Sequence, residues 1–456
     1  MRWVRAMLAG ALPVAAMVLL FCGFDAPAPR SLDAAVIVTE APAYDALAGL
    51  RGDERFPRGA RLLLLKDGHA EPLVEGFAAS ADANVSFDGT KVLFAGIKDA
   101  GDRWAVWELT LADGSVRKVM GGESDVVRPL YLPGNRAVYA RHTAHGFQLE
   151  NASLDGSDAI RLGNLNASAM PADVLADGRI LFESGFPLGV GKTPELYLVY
   201  SDGSGVESYR CDHGSARWGG RQLASGDVVF THGAALARFT SPLATEAHIA
   251  APRGEYAGGI AEMASGAWLV SERAGEETQY ALKLWKPGEP MLRTLLSRPG
   301  QDLVEPVVVA PRNRPHRHPS GLHDWDTANL LALDARESRE GRLKTGPRMV
   351  RLETQDANGN AMVLGSAPVE ADGSFFVKAP GDRPIRFSLL DEKGTVLRQE
   401  QGWFWCAKGE QRICVGCHTG PERAAENRVP AVLLRTTTPV DLTGAGKQSV
   451  AESSSR

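Results

Sequence analysis

The 456-residue chain is 44% hydrophobic and 23% charged, an ordinary globular composition that excludes a disordered, collagen-like or multi-span membrane protein. Fifty Lys and Arg against 55 Asp and Glu give a net charge of -5 with no basic block, which excludes a nucleic acid as partner. Forty-nine glycines and 27 prolines favour many short strands joined by turns, so an all-β fold is expected.

The first segment reads as an address. Arg2 and Arg5 precede an uncharged apolar run from Ala6 to Phe21, the n-region and h-region of a secretory signal. With Pro13 inside it, the run is short for a hydrocarbon core of about 30 Å, so residues 1–28 are expected to be a cleaved signal peptide and the protein exported to the periplasm. Ala26-Pro27-Ala28 offers one cleavage box. Leu19 to Cys22 offers a lipoprotein box in which Phe21 replaces a small residue. An uncleaved segment or a lipidated Cys22 would attach the chain to a membrane. Removing the segment through Cys22 takes away Arg2 and Arg5 and leaves a mature charge near -7.

Glycine turns then recur with a fixed period. Gly89, Gly134, Gly178, Gly226 and Gly266 step by 45, 44, 48 and 40 residues, each before an apolar strand such as KVLFAG or RILFES. A second series at Gly68, Gly114, Gly156, Gly203 and Gly288 is interleaved with the first. Two turns per period imply four strands, which is the blade of a β-propeller. The unit SFDGTKVLFAG, followed by LADGSVRKVM, resembles the repeats of TolB-like propellers. The pattern predicts a six- or seven-bladed propeller over residues 36–335, with a seventh blade around Glu305 to Asp334 and the strand Val36 to Glu40 closing the ring. The alternative is a pair of β-sandwiches with similar turn spacing. Within this region there is no Ser-His-Asp order with supporting context, no phosphate loop and no H-E-x-x-H motif. The S-x-x-K match from Ser115 to Lys118 lies in a turn and its following strand, and His142 and His145 read as solvated loop residues.

After Ala335 the pattern changes. The charged stretch 336–348 reads as a linker, and residues 349–403, with the turns DANGN, EADG, PGDRP and DEKG, read as a small antiparallel β-sandwich-like domain. Its D-G-S-F and A-P-G turns resemble those of carboxypeptidase-regulatory-like β-sandwiches. Asp356, Asn358 and Asn360 have the look of a calcium loop, but Gly359 stands at the wrong position and no twelfth-position Glu follows, so a plain turn is expected.

Residues 404–435 contain Cys414-Val415-Gly416-Cys417-His418, the C-x-x-C-H attachment motif of c-type haem. Two thiols at this spacing reach the two vinyl groups on one edge of a porphyrin, and the next residue turns its imidazole to the iron. One covalent haem c is therefore expected, on Cys414 and Cys417 with His418 as proximal ligand. Zinc held by Cys406, Cys414, Cys417 and His418 and a bare C-x-x-C redox pair are the rival readings. No Met or His follows His418, so a distal ligand must come from upstream; His318 or His316 in RPHRHPSGLHDW is expected, with His323, Met349 and Met362 behind them. Trp403, Phe404 and Trp405 either wall the haem from water or pack a core. Residues 436–456 read as a disordered tail.

The run WFWCAKGEQRICVGCHTGPERAAENRVP, taken with the propeller and the DGSFFVKAPGDRPIRFSLLD segment, resembles the hydrazine synthase alpha subunit family, in which a propeller is followed by a C-terminal haem domain. The resemblance implies that Cys414 and Cys417 carry haem and that His418 is an axial ligand. That subunit has a second haem site in a domain before its propeller. Here there is one C-x-x-C-H and little chain between the signal and Gly68, so the resemblance supports an electron-relay haem rather than hydrazine synthesis. The expected function is that of an exported monohaem cytochrome, its propeller docking a redox partner that the sequence leaves unnamed. A haem enzyme with an open iron face acting on a small nitrogen or oxygen ligand, and a haem-free binding module with a zinc site, are the alternatives.

Overall fold

The computed structural model describes residues 32–444 except 166, 185–192, 211–213, 243, 339–340, 401 and 417–427. The expected signal peptide, Cys22, Cys211, Cys417 and His418 lie outside the described residues. No helix among the described residues is long and apolar enough to cross a membrane.

Six antiparallel blades form the propeller, five of four strands and the last of five, because its innermost position is split between Glu255–Tyr256 and Ala261–Glu262. The local reason for each blade is the turn chemistry. In Asp113-Gly114-Ser115, Asp155-Gly156-Ser157 and Asp202-Gly203-Ser204 the carboxylate accepts hydrogen bonds from the serine N–H at 2.9–3.0 Å and from its hydroxyl at 2.6–2.7 Å. The central glycine takes φ between 70° and 85°, the left-handed region that a Cβ disfavours. The second strands, such as Lys91–Ile97 and Ile180–Ser184, are buried on both faces, as stacked blades require, whereas the outer strand Val116–Met120 is largely exposed.

The ring closes by pairing the two ends of the propeller. Strand Ala35–Ala41 pairs antiparallel with Asp302–Val309, which becomes the innermost strand of the first blade. The expected seventh blade does not form: Glu305 belongs to that closing strand, residues 310–326 contain no strand, and Thr327–Ala332 joins a different sheet. The propeller therefore ends at Val309 rather than at residue 335.

Around the axis, the innermost strands carry bulges at which Asp82, Arg128 and Glu305 adopt φ of 54–56°. Such conformations cost energy in non-glycine residues. An ion network holds them: Arg55 bonds Asp82 at 2.7 Å and Glu305 at 2.6 Å, Arg128 lies 3.3 Å from Glu183, and Arg221 lies 3.3 Å from Glu305. Tyr44 donates its hydroxyl to Glu305 at 2.9 Å. Tyr44 and Arg55 come from the connection between the second and third strands of the first blade, which also carries the short helix Ala48–Arg51.

Residues 310–326 form a strap across one face of the propeller. The Arg312 N–H donates to the carbonyl of Phe87, and the His316 N–H donates to that of Ala176, each at 2.9 Å. Gly178, with φ of 89°, lets the His316 carbonyl approach so closely that a Cβ there would collide with it. The strap thus runs along the inner turns of blades two to four.

It delivers the chain to a sandwich of two four-stranded sheets. One contains Met349–Gln355, Ala361–Pro368, Ile385–Leu390 and Val396–Gln399. The other orders Gln411–Cys414, Thr327–Ala332, Phe375–Pro380 and Val440–Asp441. The separate domains expected at 349–403 and 404–435 are therefore one module, because the strand before the haem motif is a sheet member. Residues 336–348 are not a free linker either: Arg336 pairs with Asp334 at 2.6 Å within the sandwich. Part of the tail expected from 436 is sheet instead, since Val440–Asp441 pairs parallel with Val377–Lys378. The supposed calcium loop is a turn in which the Asp356 carboxylate accepts the N–H groups of Asn358 and Asn360 at 2.9 and 2.8 Å.

Candidate functional site: the sheet edge that carries Cys414

Strand Gln411–Cys414 is the edge of its sheet and pairs parallel with Thr327–Ala332, placing Cys414 beside Ala332. The Leu333 N–H donates to the Cys414 carbonyl at 2.9 Å, which fixes the point where the strand ends and the C-x-x-C-H residues begin. The preceding turn is held by Glu410, whose carboxylate accepts the Ala407 N–H at 2.8 Å and, from blade four, the Gly205 N–H at 3.2 Å. Strand alternation does the rest: Arg412 and Cys414 turn inward, while Gln411 and Ile413 face out.

Arg412 is the joint of this site. Its guanidinium donates to the carbonyl of Trp405 at 3.2 Å and to that of Val206 in blade four, lies over the Phe404 ring at 5.2 Å and stands 4.0 Å from the Cys406 sulfur. Burial favours its neutral form, but Cys406, Cys414 and Glu410 outweigh burial and keep it charged. Burial pushes the thiols of Cys406 and Cys414 up, only partly offset by Arg412. Both thiols are in no disulfide.

Three observations make this edge suitable for a covalently attached porphyrin. The Cys414 thiol is free, it is partly exposed at the rim of the sandwich core, and Ile413 and Val415 beside it leave 65% and 37% of their surface in water. Such exposed apolar side chains are what a porphyrin face would cover. The described residues contribute Cys414 alone from the expected set, because Cys417 and His418 fall outside them.

The histidines expected as distal ligands lie in different surroundings along the strap. His318 stacks on Tyr200 of blade four, with ring centroids 3.8 Å apart, and the backbone of His316 is pinned to Ala176. No described hydrogen bond or ring contact joins either to strand Gln411–Cys414. His323 is the strap histidine brought there: its Nε2 lies 2.9 Å from Gln411 Nε2, its N–H donates to the Gly409 carbonyl at 3.0 Å, and its ring stacks on Trp325 at 4.4 Å. The reason is tertiary, since the strap is spent on the propeller face until residue 323. Of the three aromatics before the motif, Trp403 and Trp405 pack against blades three and four, among Leu130, Leu162, Phe182 and Tyr197, and so dock the sandwich on the propeller. His142 packs edge-on against Phe147, with centroids 5.0 Å apart, and His145 is exposed.

Comparisons with known proteins meet this geometry. Residues 332–419, from the sandwich through the C-x-x-C-H, match the family model of the hydrazine synthase alpha subunit middle domain. Over 92 residues the chain is 30% identical to hydrazine synthase subunit alpha of Kuenenia stuttgartiensis, a match spanning 19% of this chain and 11% of that relative. The solved structure of Kuenenia stuttgartiensis hydrazine synthase superposes with a TM-score of 0.75 at 15% identity, covering 88% of this chain and 71% of that one. TolB from Acinetobacter baumannii aligns at 13% identity with a TM-score of 0.46, over 61% of this chain and 67% of that one. The chain is thus similar in sequence to the hydrazine synthase alpha subunit over the sandwich and motif, and similar in fold to a hydrazine synthase chain over most of its length.

Proposed function

We propose that the chain is an exported, periplasmic c-type cytochrome that carries one covalent haem c and passes single electrons to a partner docked on or beside its propeller. The observation that carries this reading is the placement of Cys414, a free and partly exposed thiol ending an edge strand, as the first residue of a C-x-x-C-H inside the segment that matches the hydrazine synthase alpha family. Cys414 and Cys417 would hold the haem by thioether bonds, His418 would ligate its iron, and His323 is the strap histidine best placed to approach from the other side, ahead of His318 and His316. When bound, the haem supplies a one-electron Fe(III)/Fe(II) couple whose potential depends on its axial ligands and on burial.

The chain's own residues would set the surroundings. Arg412 keeps a positive charge buried beside the attachment strand, which favours the reduced, less positive state of a nearby redox centre. Glu410, tied to Ala407 and Gly205, holds the turn before the strand and couples it to blade four. The propeller, with its axis filled by the ion network, acts as a rigid platform.

The test is a pyridine haemochrome spectrum and a denaturing-gel haem stain on protein exported from a host with cytochrome c maturation, beside a Cys414→Ser/Cys417→Ser variant. Covalent haem in the parent and none in the variant supports the reading. A haem-free parent under those conditions overturns it and leaves a propeller module with a Cys/His zinc or disulfide site.

A further inference from the structure

A second constellation lies in blade five, away from the sandwich. His232 ends strand Val228–His232, His248 lies in the outermost strand Ala247–His248, and Glu246 directly precedes that strand. One ligand atom from each of these residues lies within 4.8 Å of the others. The two imidazole rings are nearly parallel, 21° apart in plane, with centroids 5.8 Å apart. His232 Nδ1 already meets Glu246 Oε1. His232 and Glu246 are half-buried and His248 is exposed, so the group opens to solvent on one side.

We infer that His232, Glu246 and His248 form a metal site for a divalent transition ion of the zinc class. Two neutral imidazoles and a carboxylate are a borderline-soft set that suits such an ion. A tetrahedral site with bonds of about 2 Å spaces its ligand atoms by roughly 3.3 Å. The ligand atoms here lie within 4.8 Å of one another, so side-chain rotations would bring them to that spacing, with the fourth position open to water.

An independent feature supports a built site. Glu246 uses its second oxygen, Oε2, to accept from Arg217 Nε at 2.7 Å. Arg217 is only 6% exposed, and its guanidinium lies over the rings of Phe239 and Phe230 at 5.1 and 5.9 Å. It begins strand Arg217–Gln222 opposite His232 in register. A buried arginine on one carboxylate oxygen leaves the other aimed at the imidazoles, which is how outer partners orient metal ligands. The sequence signal is faint, a Glu-x-His alternation at 246 and 248, because the third ligand comes from a strand 16 residues earlier.

The experiment is isothermal titration of the full chain with Zn²⁺, beside His248→Ala and Glu246→Gln, with Co²⁺ absorption as a second readout. His248 is exposed, so its variant keeps the fold, and a matching metal-free thermal melt checks this. Zinc bound at Cys414, Cys417 or His418 is the same in parent and variants and cancels in the comparison. The expected result is one more Zn²⁺ bound by the parent than by either variant, or binding weakened by about tenfold or more, together with tetrahedral Co²⁺ bands in the parent that the variants lose. Equal stoichiometry and affinity in parent and His248→Ala would overturn the site and leave a His232–Glu246–Arg217 ion cluster. Either result is independent of whether the C-terminal motif carries haem.

Discussion

Trp405 donates its indole N–H to the carbonyl oxygen of Gly203 at 3.2 Å, joining the strand-entry segment of the sandwich to the turn between the third and fourth strands of blade four. The ring is fully buried in a cluster that includes Phe182, Tyr197 and Leu162. The same joint receives Arg412 on Val206 and Glu410 on Gly205, so the attachment strand is registered against the propeller by three side chains within the eight residues 405–412.

Trp405→Ala is expected to cost about 3–5 kcal/mol, the usual result of emptying a large aromatic site. Trp405→Phe, which keeps most of the packing and loses the hydrogen bond, is expected to cost less, roughly 1–2 kcal/mol. Denaturant unfolding measures both. Limited proteolysis of the strap would show whether the sandwich has come loose from the propeller.

The axial network predicts an acid-sensitive fold. Burial alone would raise the Glu305 carboxyl, but Arg55, Arg128 and Arg221 outweigh it and hold it at about 2. A carboxyl whose folded value lies below its unfolded value contributes stability that is fully present above the unfolded value and is lost as pH falls toward the folded one. Stability should therefore decline from about pH 4.5 toward pH 2. Glu305→Gln, which leaves Arg55 short of a partner, is expected to cost about 3–5 kcal/mol at neutral pH and to flatten that acid limb. Urea midpoints between pH 2.5 and 7 test both effects.

Gly178→Ala should detach the strap from blade four. The position has φ of 89°, and the added Cβ would meet the carbonyl carbon of His316 at 3.1 Å and its oxygen more closely still. Both obstacles are backbone, so no rotamer change relieves them. Faster proteolytic cleavage within residues 310–326, with the blade core still protected from hydrogen exchange, is the expected outcome; unchanged cleavage would mean that the strap is not held there.

In haem-loaded protein, His323→Ala is expected to change the visible spectrum and open the iron to carbon monoxide, whereas His318→Ala leaves both unchanged. The expectation rests on the His323–Gln411 contact and on the stacking of His318 against Tyr200. If His318→Ala has the larger effect, the strap adopts a different path once haem is attached. If the parent itself binds carbon monoxide without losing a ligand, the site is an open-faced haem enzyme's and not an electron relay's.

What the sequence by itself determined is what depends on neighbouring residues. The Asp-Gly-Ser turns are legible because the carboxylate bonds a serine two places on and the glycine supplies the positive φ between them. The haem motif is legible for the same reason, its five residues being contiguous. What the tertiary structure decided are the pairings between distant segments. The six-blade count follows from Ala35–Ala41 meeting Asp302–Val309, two segments whose strand patterns look alike whether they close a ring or begin a new blade. The strap falls inside the span expected for a last blade because its prolines and histidines bear no mark of the turns they cross. His323 reached the Cys414 strand, and Trp403 and Trp405 reached blades three and four, through packing between modules, which leaves no period in the chain. Likewise Glu305 stands alone in sequence, and only closure of the ring surrounds it with Arg55, Arg128 and Arg221.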